Sequence, residues 1–143
     1  MLIRLRTFSK AYGLAGLRIG YGFCAPDLAR RLWTMQPPFG IGIASLVAVA
    51  ASYDAESQLQ QRIRMISAER RYLGMQLRSM GAYSTDSHAN FVYLPPWRQP
   101  WREVFDGTGL QVRHYADGSV RITVGSRQST RAVLAAVAPI ALH

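Results

Sequence analysis

The sequence has one cysteine, three histidines and no apolar stretch long enough to span a bilayer. A single cysteine cannot form an intrachain disulfide, which is typical of cytoplasmic proteins. The histidines, at positions 88, 114 and 143, lack the spacing of metal ligands, so no metal site is expected. The segment Met1–Arg6 is too short and too charged for a signal peptide. We therefore expect a cytoplasmic protein without membrane association.

Acidic residues are also scarce, with eight against 17 basic residues, which gives a net charge of +9. Taken alone, this charge favours an anion-binding or nucleic-acid-binding module. However, the arginines are scattered along the chain and no run exceeds two. Such a pattern is typical of a solvated basic surface, or of a piece whose acidic complement lies elsewhere. No nucleic-acid partner is therefore expected.

The 143 residues suffice for one ordinary domain, and 49% hydrophobic residues indicate a globular chain. The longest periodic segment, residues 55–80, repeats apolar residues every three or four positions and predicts a helix that ends at Gly81. The Asp117-Gly118 pair predicts a hairpin turn, and Ser129 is the expected cap of a last helix. Further helices are predicted at 26–33, 44–53 and 100–107, and strands at 2–8, 18–24, 90–94, 110–113 and 120–124. This alternation predicts an α/β fold whose first two strands pack poorly, or pair with another chain.

The only lysine lies in the most distinctive segment of the chain. Residues 7–18 are Thr-Phe-Ser-Lys-Ala-Tyr-Gly-Leu-Ala-Gly-Leu-Arg. Lys10 supplies an amine that can lose its proton, which arginine cannot. The hydroxyl groups of Thr7 and Ser9 flank it, and the Arg18 guanidinium suits the geometry of a phosphate. Small residues between them let the backbone approach a ligand closely.

This segment resembles the lysine-attachment signature of the fold-type I, class II aminotransferases, and residues 17–21 continue the match. The resemblance implies pyridoxal 5'-phosphate as the cofactor and Lys10 as the catalytic residue. In that family the lysine attaches the cofactor and later moves a proton between substrate carbon and cofactor. The resemblance also implies that Thr7, Ser9 and Arg18 bind the cofactor phosphate.

A second resemblance to the same family lies in the C-terminal half, at residues 89–92, 109–113 and 120–125. It implies that Arg121 pairs with the α-carboxylate of the substrate. It places Arg113 where histidinol-phosphate aminotransferases hold the substrate phosphate. The fold class implied is α/β, with the end of the large cofactor-binding domain followed by the small C-terminal domain of a fold-type I aminotransferase.

The branch within the family is indicated by residues 126–130. Relatives usually continue there with acidic residues and an asparagine, whereas this chain has Ser-Arg-Gln-Ser-Thr. This difference favours an aromatic amino acid aminotransferase that uses 2-oxoglutarate, with histidinol-phosphate aminotransferase as the alternative. The family implies amino acid and 2-oxo acid substrates, and a homodimer.

Only nine residues precede Lys10, whereas family members carry most of their cofactor contacts before this lysine. We therefore expect a truncated chain that is inactive by itself. Residues 1–36 would be a remnant of the large domain, and residues 37–143 the linking helix and small domain. The alternatives are an enzyme whose start is misplaced, and an inactive remnant that serves as a structural or interaction module.

Overall fold

The computed structural model of the chain describes residues 2–141. Residues 1, 142 and 143 lie outside the described residues. They include one of the three histidines, His143, and they form the ends of the two predicted domains. The elements, in chain order, are β1 (Ile3–Thr7), a 3-10 turn (Ala15–Leu17), β2 (Gly20–Cys24), α1 (Pro26–Trp33), α2 (Ile43–Asp54), α3 (Glu56–Ser79), β3 (Phe91–Leu94), α4 (Trp101–Phe105), β4 (Arg113–His114), β5 (Val120–Thr123) and α5 (Arg127–Ala141). The chain divides into two compact units, the first ending at Arg62 and the second beginning at Ile63, within α3.

In the first unit, β1 and β2 form a two-stranded antiparallel sheet, with Ile3 opposite Cys24 and Thr7 opposite Gly20. All five residues of β1 are exposed, which agrees with the expectation that this strand pair packs poorly. Gly20 is required at the end of the pair, because a Cβ there would lie 2.5 Å from the Arg6 carbonyl oxygen.

In the second unit, β5 lies between β3 and β4, and both pairings are antiparallel. Alternate residues of β3 and β5 point into one core, as period-two alternation requires for a sheet buried on one face. The helix predicted at 55–80 is confirmed as Glu56–Ser79, and Leu73 and Leu77 are its most buried apolar residues. The core residues of this unit are Leu73, Leu77, Ala82, Val92, Leu94, Trp101, Phe105, Val120, Ile122, Val133, Leu134 and Val137.

Two elements begin three residues away from their predicted starts, whereas the bounds of the others differ by one or two residues at most. The strand expected at 110–113 is confined to Arg113–His114. Gly109 has a φ of +72° and the Leu110 N–H donates to the Thr108 hydroxyl, so this backbone turns before it can pair. The last helix begins at Arg127, and the Ser126 hydroxyl accepts a hydrogen bond from the Ser129 N–H at 3.3 Å. The capping residue is therefore Ser126 and not Ser129.

We predict that Trp101→Ala lowers the free energy of unfolding by about 3–5 kcal/mol, because it leaves a cavity in the core. Trp101 is 1% exposed, stacks against Trp97 and Phe105, and donates its indole N–H to the Pro95 carbonyl at 2.7 Å. Urea unfolding followed by far-ultraviolet circular dichroism measures the loss. The control is Trp33→Ala at a 75% exposed side chain, which should change the free energy by less than about 0.5 kcal/mol. Equal losses in the two variants would contradict the assigned core.

We also predict that protonation of the Asp117 carboxylate in acid destabilises the hairpin turn. Hydrogen bonds from the Ser119 hydroxyl and then the Ser119 N–H lower the pKa of Asp117 below its ordinary value of 3.8. The stabilisation is therefore complete above that value and is lost as the pH falls through the lower, folded-state pKa. Carboxyl-carbon NMR measures the pKa, and Asp117→Asn should flatten the acid limb of stability against pH. The exposed Asp106→Asn serves as the control, and a folded pKa of Asp117 at or above 3.8 would contradict the assignment.

Candidate active site

The lysine lies in a loop that is closed by its own backbone. The loop leaves β1 at Thr7 and reaches β2 at Gly20, with a 3-10 turn at Ala15–Leu17. The Lys10 carbonyl accepts a hydrogen bond from the Gly13 N–H at 2.9 Å. The Lys10 side chain is exposed, so its amine is accessible to a ligand.

The loop is anchored by Phe8, which is 3% exposed. The Phe8 N–H donates to the Ile19 carbonyl at 3.2 Å, and its carbonyl accepts from the Leu14 N–H at 2.9 Å. From α2, the buried Ser45 hydroxyl donates to the Leu17 carbonyl at 3.0 Å. Because Ser45 lies 28 residues further along the chain, sequence reasoning from the motif alone did not find this support.

A second distant contact comes from Arg62 in α3. Its guanidinium Nη1 donates to the Ala11 carbonyl at 3.3 Å, directly after the lysine. Gly13 makes room for this side chain, since a Cβ there would lie 2.5 Å from the same Nη1. Gly13 also has a φ of +76°, which favours glycine. The glycine was visible in the sequence as a small residue, but its partner 49 positions later was not.

The structure brings three of the predicted cofactor-binding residues together. Thr7, Ser9 and Arg18 line one open groove of about 420 Å³ beside the lysine loop. The Thr7 Oγ1 accepts a hydrogen bond from the Ser9 N–H at 3.0 Å, which leaves the Thr7 hydroxyl proton available. Lys10 is not among the residues that line this groove, which are Leu5, Arg6, Thr7, Ser9, Arg18, Ile19, Gly20 and Tyr21.

Arg18 adopts a backbone conformation that is unusual for a residue with a side chain. Its φ is +51° and its ψ is +44°, in the left-handed region. Its Nη1 donates to the Ala15 carbonyl at 2.9 Å. A guanidinium has five N–H donors, so this bond fixes the side chain and leaves other donors for a ligand. Strained residues of this kind concentrate at binding sites.

The groove is electropositive, because Arg6 and Arg18 line it and none of its lining residues is acidic. Sequence reasoning missed Arg6. Its place at the groove follows from the β1–β2 register, which sets Arg6 opposite Tyr21. The arrangement can bind an anion through hydroxyl and guanidinium donors, which is the chemistry that a phosphate requires.

Four aromatic rings pack together beside the loop. The ring of Phe8 lies 4.6 Å from Tyr12, 6.0 Å from Tyr21 and 5.8 Å from Tyr53, measured between centroids. Partial burial, and then the neighbouring Tyr21 and Tyr12 phenols, raise the pKa of Tyr53 above its ordinary value of 10.0. Tyr53 therefore stays a neutral hydrogen-bonding group at physiological pH.

In the second unit, Arg121 lies on the central strand of the three-stranded sheet. Its Nε is buried and has no hydrogen-bond partner within residues 2–141. The guanidinium carbon lies 5.1 Å from the centre of the Phe91 ring. A buried donor without a partner is unfavourable, so this group is suited to an acceptor that a ligand would bring.

Arg113 lies directly beside Arg121, because the register of β4 and β5 pairs the two residues. Residues that face each other on antiparallel strands have Cβ atoms about 5 Å apart, and like charges there are destabilising. Neither arginine forms an ion pair with the carboxylates that the structure describes. The pair of guanidinium groups is therefore suited to an anionic ligand.

Neither a metal-ligand cluster nor a membrane-spanning helix is found in the described part of the chain. Residues 2–141 contain no group of three or more histidine, cysteine, aspartate or glutamate side chains that could hold a metal ion. Over the same range, no helix is both long and apolar enough to cross a membrane.

Comparison with known proteins shows which family the chain resembles. Residues 2–137 match the family described as aminotransferase class I and II. Histidinol-phosphate aminotransferase 2 of Caulobacter vibrioides is 38% identical over 145 residues, which cover 98% of this chain. The aromatic amino acid aminotransferase of Mycobacterium tuberculosis is 39% identical over 135 residues, which cover 93%.

A solved structure agrees. The histidinol-phosphate aminotransferase of Sinorhizobium meliloti, determined in complex with pyridoxal-5'-phosphate, has a TM-score of 0.83 and 26% identity over 98% of this chain, and the match covers 41% of that protein. The chain spans 38% of the length of the two curated relatives. The predicted α/β fold of the fold-type I aminotransferases is confirmed, and the chain belongs to the class I and II aminotransferase family.

Proposed function

We propose that this chain provides the lysine and part of the cofactor and substrate sites of a pyridoxal-phosphate-dependent aminotransferase. The reaction would transfer an amino group between an aromatic amino acid and 2-oxoglutarate. One observation carries the proposal. Thr7, Ser9 and Arg18 line a single electropositive groove on the loop that bears the only lysine of the chain.

The residues at the groove fit the phosphate of the cofactor. The Thr7 and Ser9 hydroxyls and the Arg18 guanidinium would donate hydrogen bonds to it, and Arg6 would add a second positive charge. Within residues 2–141 the Ser9 hydroxyl has no hydrogen-bond partner, so it is available for this role. Pyridoxal phosphate, when bound, supplies an electron sink for the reacting carbon of the substrate.

Lys10 would attach the cofactor and transfer the substrate proton. Its amine is exposed and its backbone is held by the Gly13 N–H on one side and, through Ala11, by Arg62 on the other. Such anchoring matters because an acid–base group must lie within hydrogen-bond reach of the proton it moves. The role of the loop is therefore to fix one amine in place.

Arg121 and Arg113 would recognise the acidic groups of the substrates. The unpaired Nε of Arg121 supports a bond to the α-carboxylate. Arg113, beside it, would bind a second anionic group, such as the distal carboxylate of 2-oxoglutarate. The alternative is histidinol phosphate, whose phosphate would take the same place, and the similarity to the Caulobacter vibrioides protein favours this alternative.

Some features are proposed only through the family. They are a homodimer, a cytoplasmic location, amino-acid biosynthesis as the setting, and the division into residues 1–36 of a large domain and 37–143 of a small one. The first of these is testable by sedimentation of the purified chain. Since the chain spans 38% of its curated relatives, full activity by itself is not part of the proposal.

We predict that Lys10 is the only side chain to which pyridoxal phosphate attaches covalently, because it is the sole side-chain amine. Borohydride reduction followed by peptide mass mapping should place the added mass on Lys10. The control is Lys10→Arg, which keeps the charge and should leave modification only at the N-terminal amine. Wild-type chain modified at the N-terminal amine alone would contradict the proposal and favour an inactive remnant.

We also predict that Arg18→Gln weakens the capture of pyridoxal phosphate by roughly tenfold or more, since one charge-assisted hydrogen bond is worth about 1.5–3 kcal/mol. Capture of pyridoxal, which lacks the phosphate, should stay within about twofold in the same variant. The concentration dependence of borohydride trapping at Lys10 measures both. Arg4→Gln, on the same sheet but not lining the groove, is the matched control. Equal losses with the two ligands would rule out a phosphate contact.

A further inference from the structure

A second basic groove lies in the second unit, between α3 and the segment that leads into β3. Its volume is about 210 Å³. None of the cofactor or substrate residues assigned above takes part in it. The residues that line it are Arg70, Arg71, Gly74, Arg78, Ser84, Thr85, Asp86, Ser87, His88 and Val92.

Three arginines of α3 line this groove, namely Arg70, Arg71 and Arg78. Arg71 and Arg78 lie three residues before and four residues after Gly74, which places all three positions along one side of the helix. Such a cluster of like charges is unfavourable without an anion. Asp86 is the only carboxylate that lines the groove, and its Oδ2 lies 3.9 Å from the Nε2 of the His88 imidazole. Within residues 2–141, none of the three arginines forms an ion pair.

The floor of the groove is formed by the absence of a side chain at Gly74. A Cβ built there would lie 3.6 Å from the Ser84 Oγ and 3.6 Å from the Arg78 Nη2. The hydroxyl and the guanidinium therefore approach the same open space. Nothing in the backbone requires glycine, because Gly74 lies inside α3 without a positive φ, and glycine disfavours a helix.

Ser84 supplies a hydroxyl at the groove. The residue as a whole is 3% exposed, and it lines the groove. Its Oγ is not among the buried side-chain atoms without a hydrogen-bond partner in residues 2–141, so the hydroxyl is accessible from the groove and free to bond a ligand there. Arg70 is also held in place, since its Nη1 donates to the Ala89 carbonyl at 2.8 Å.

We propose that this groove binds a phosphate group, as inorganic phosphate or as a small phosphomonoester. The phosphate oxygens would accept hydrogen bonds from Ser84 and Arg78 in the space above Gly74, with Arg70 and Arg71 adding charge. Guanidinium groups match the geometry of phosphate oxygens, and three of them outweigh the single carboxylate of Asp86. The volume suits a phosphate with a few further atoms.

The proposal is tested by NMR titration of the whole chain at fixed ionic strength. Inorganic phosphate, glycerol 3-phosphate and chloride are added in separate experiments. The amide signals of Gly74, Ser84 and Arg78 report on this groove, and those of Thr7 and Ser9 report separately on the lysine loop. Saturable shifts at the first set with either phosphate compound, and none with chloride, support the proposal. The compound that produces them shows whether the groove binds inorganic phosphate or a phosphomonoester. Shifts confined to the lysine loop, or equal shifts with chloride, would overturn it.

Variants then locate the ligand. Gly74→Ala fills the open space and should strengthen the helix, so a loss of binding in this variant is not a loss of fold. We expect Gly74→Ala and Arg78→Gln each to weaken phosphate binding about tenfold or more, and Arg64→Gln, an exposed arginine of α3 outside the groove, to stay within about twofold. Unchanged binding in Gly74→Ala, or an equal loss in Arg64→Gln, would refute the site in favour of diffuse charge.

Discussion

The second unit depends on the pairing of β5 with both of its neighbours. This central strand fixes the orientation of every side chain in the sheet, because alternate residues must point to opposite faces. Val120 and Ile122 therefore point into the core, and Arg121 between them points to the other face. A shift of one residue in this register would turn the guanidinium into the apolar core and expose the two apolar side chains. The position of the proposed carboxylate-binding group is thus set by hydrophobic burial.

The first unit depends on a different interaction, the burial of Phe8 against the rings of Tyr12, Tyr21 and Tyr53. The backbone of Phe8 bonds to both Leu14 and Ile19, so a single residue joins β1, the lysine loop and the approach to β2. With Phe8 held, Thr7 and Ser9 on either side of it reach the groove. The phosphate binding proposed for these neighbours therefore relies on an aromatic residue that does not itself line the groove.

Much of this organisation could be predicted from local sequence. The apolar period of α3, the proline at the start of α1 and the glycine after α3 predicted these elements within a residue or two. The start of β4 could not be predicted, because Leu110 and Val112 have the alternation of a strand but follow a glycine with positive φ. The lysine motif was evident because its residues lie close together in the chain. Arg6, Ser45 and Arg62 were not, since their roles arise only when distant segments meet.

The contact between Arg62 and the lysine loop has a consequence for how the sequence can change over evolutionary time. Position 13 can gain a side chain only if the guanidinium of Arg62 moves away, since the two would otherwise overlap. Position 62 can lose its arginine without any clash, and the loss would open room at position 13. Because Gly13 also has a φ of +76°, a side chain there would stay strained even after the arginine is lost, so related chains that keep the lysine should keep glycine at position 13 more strictly than arginine at position 62.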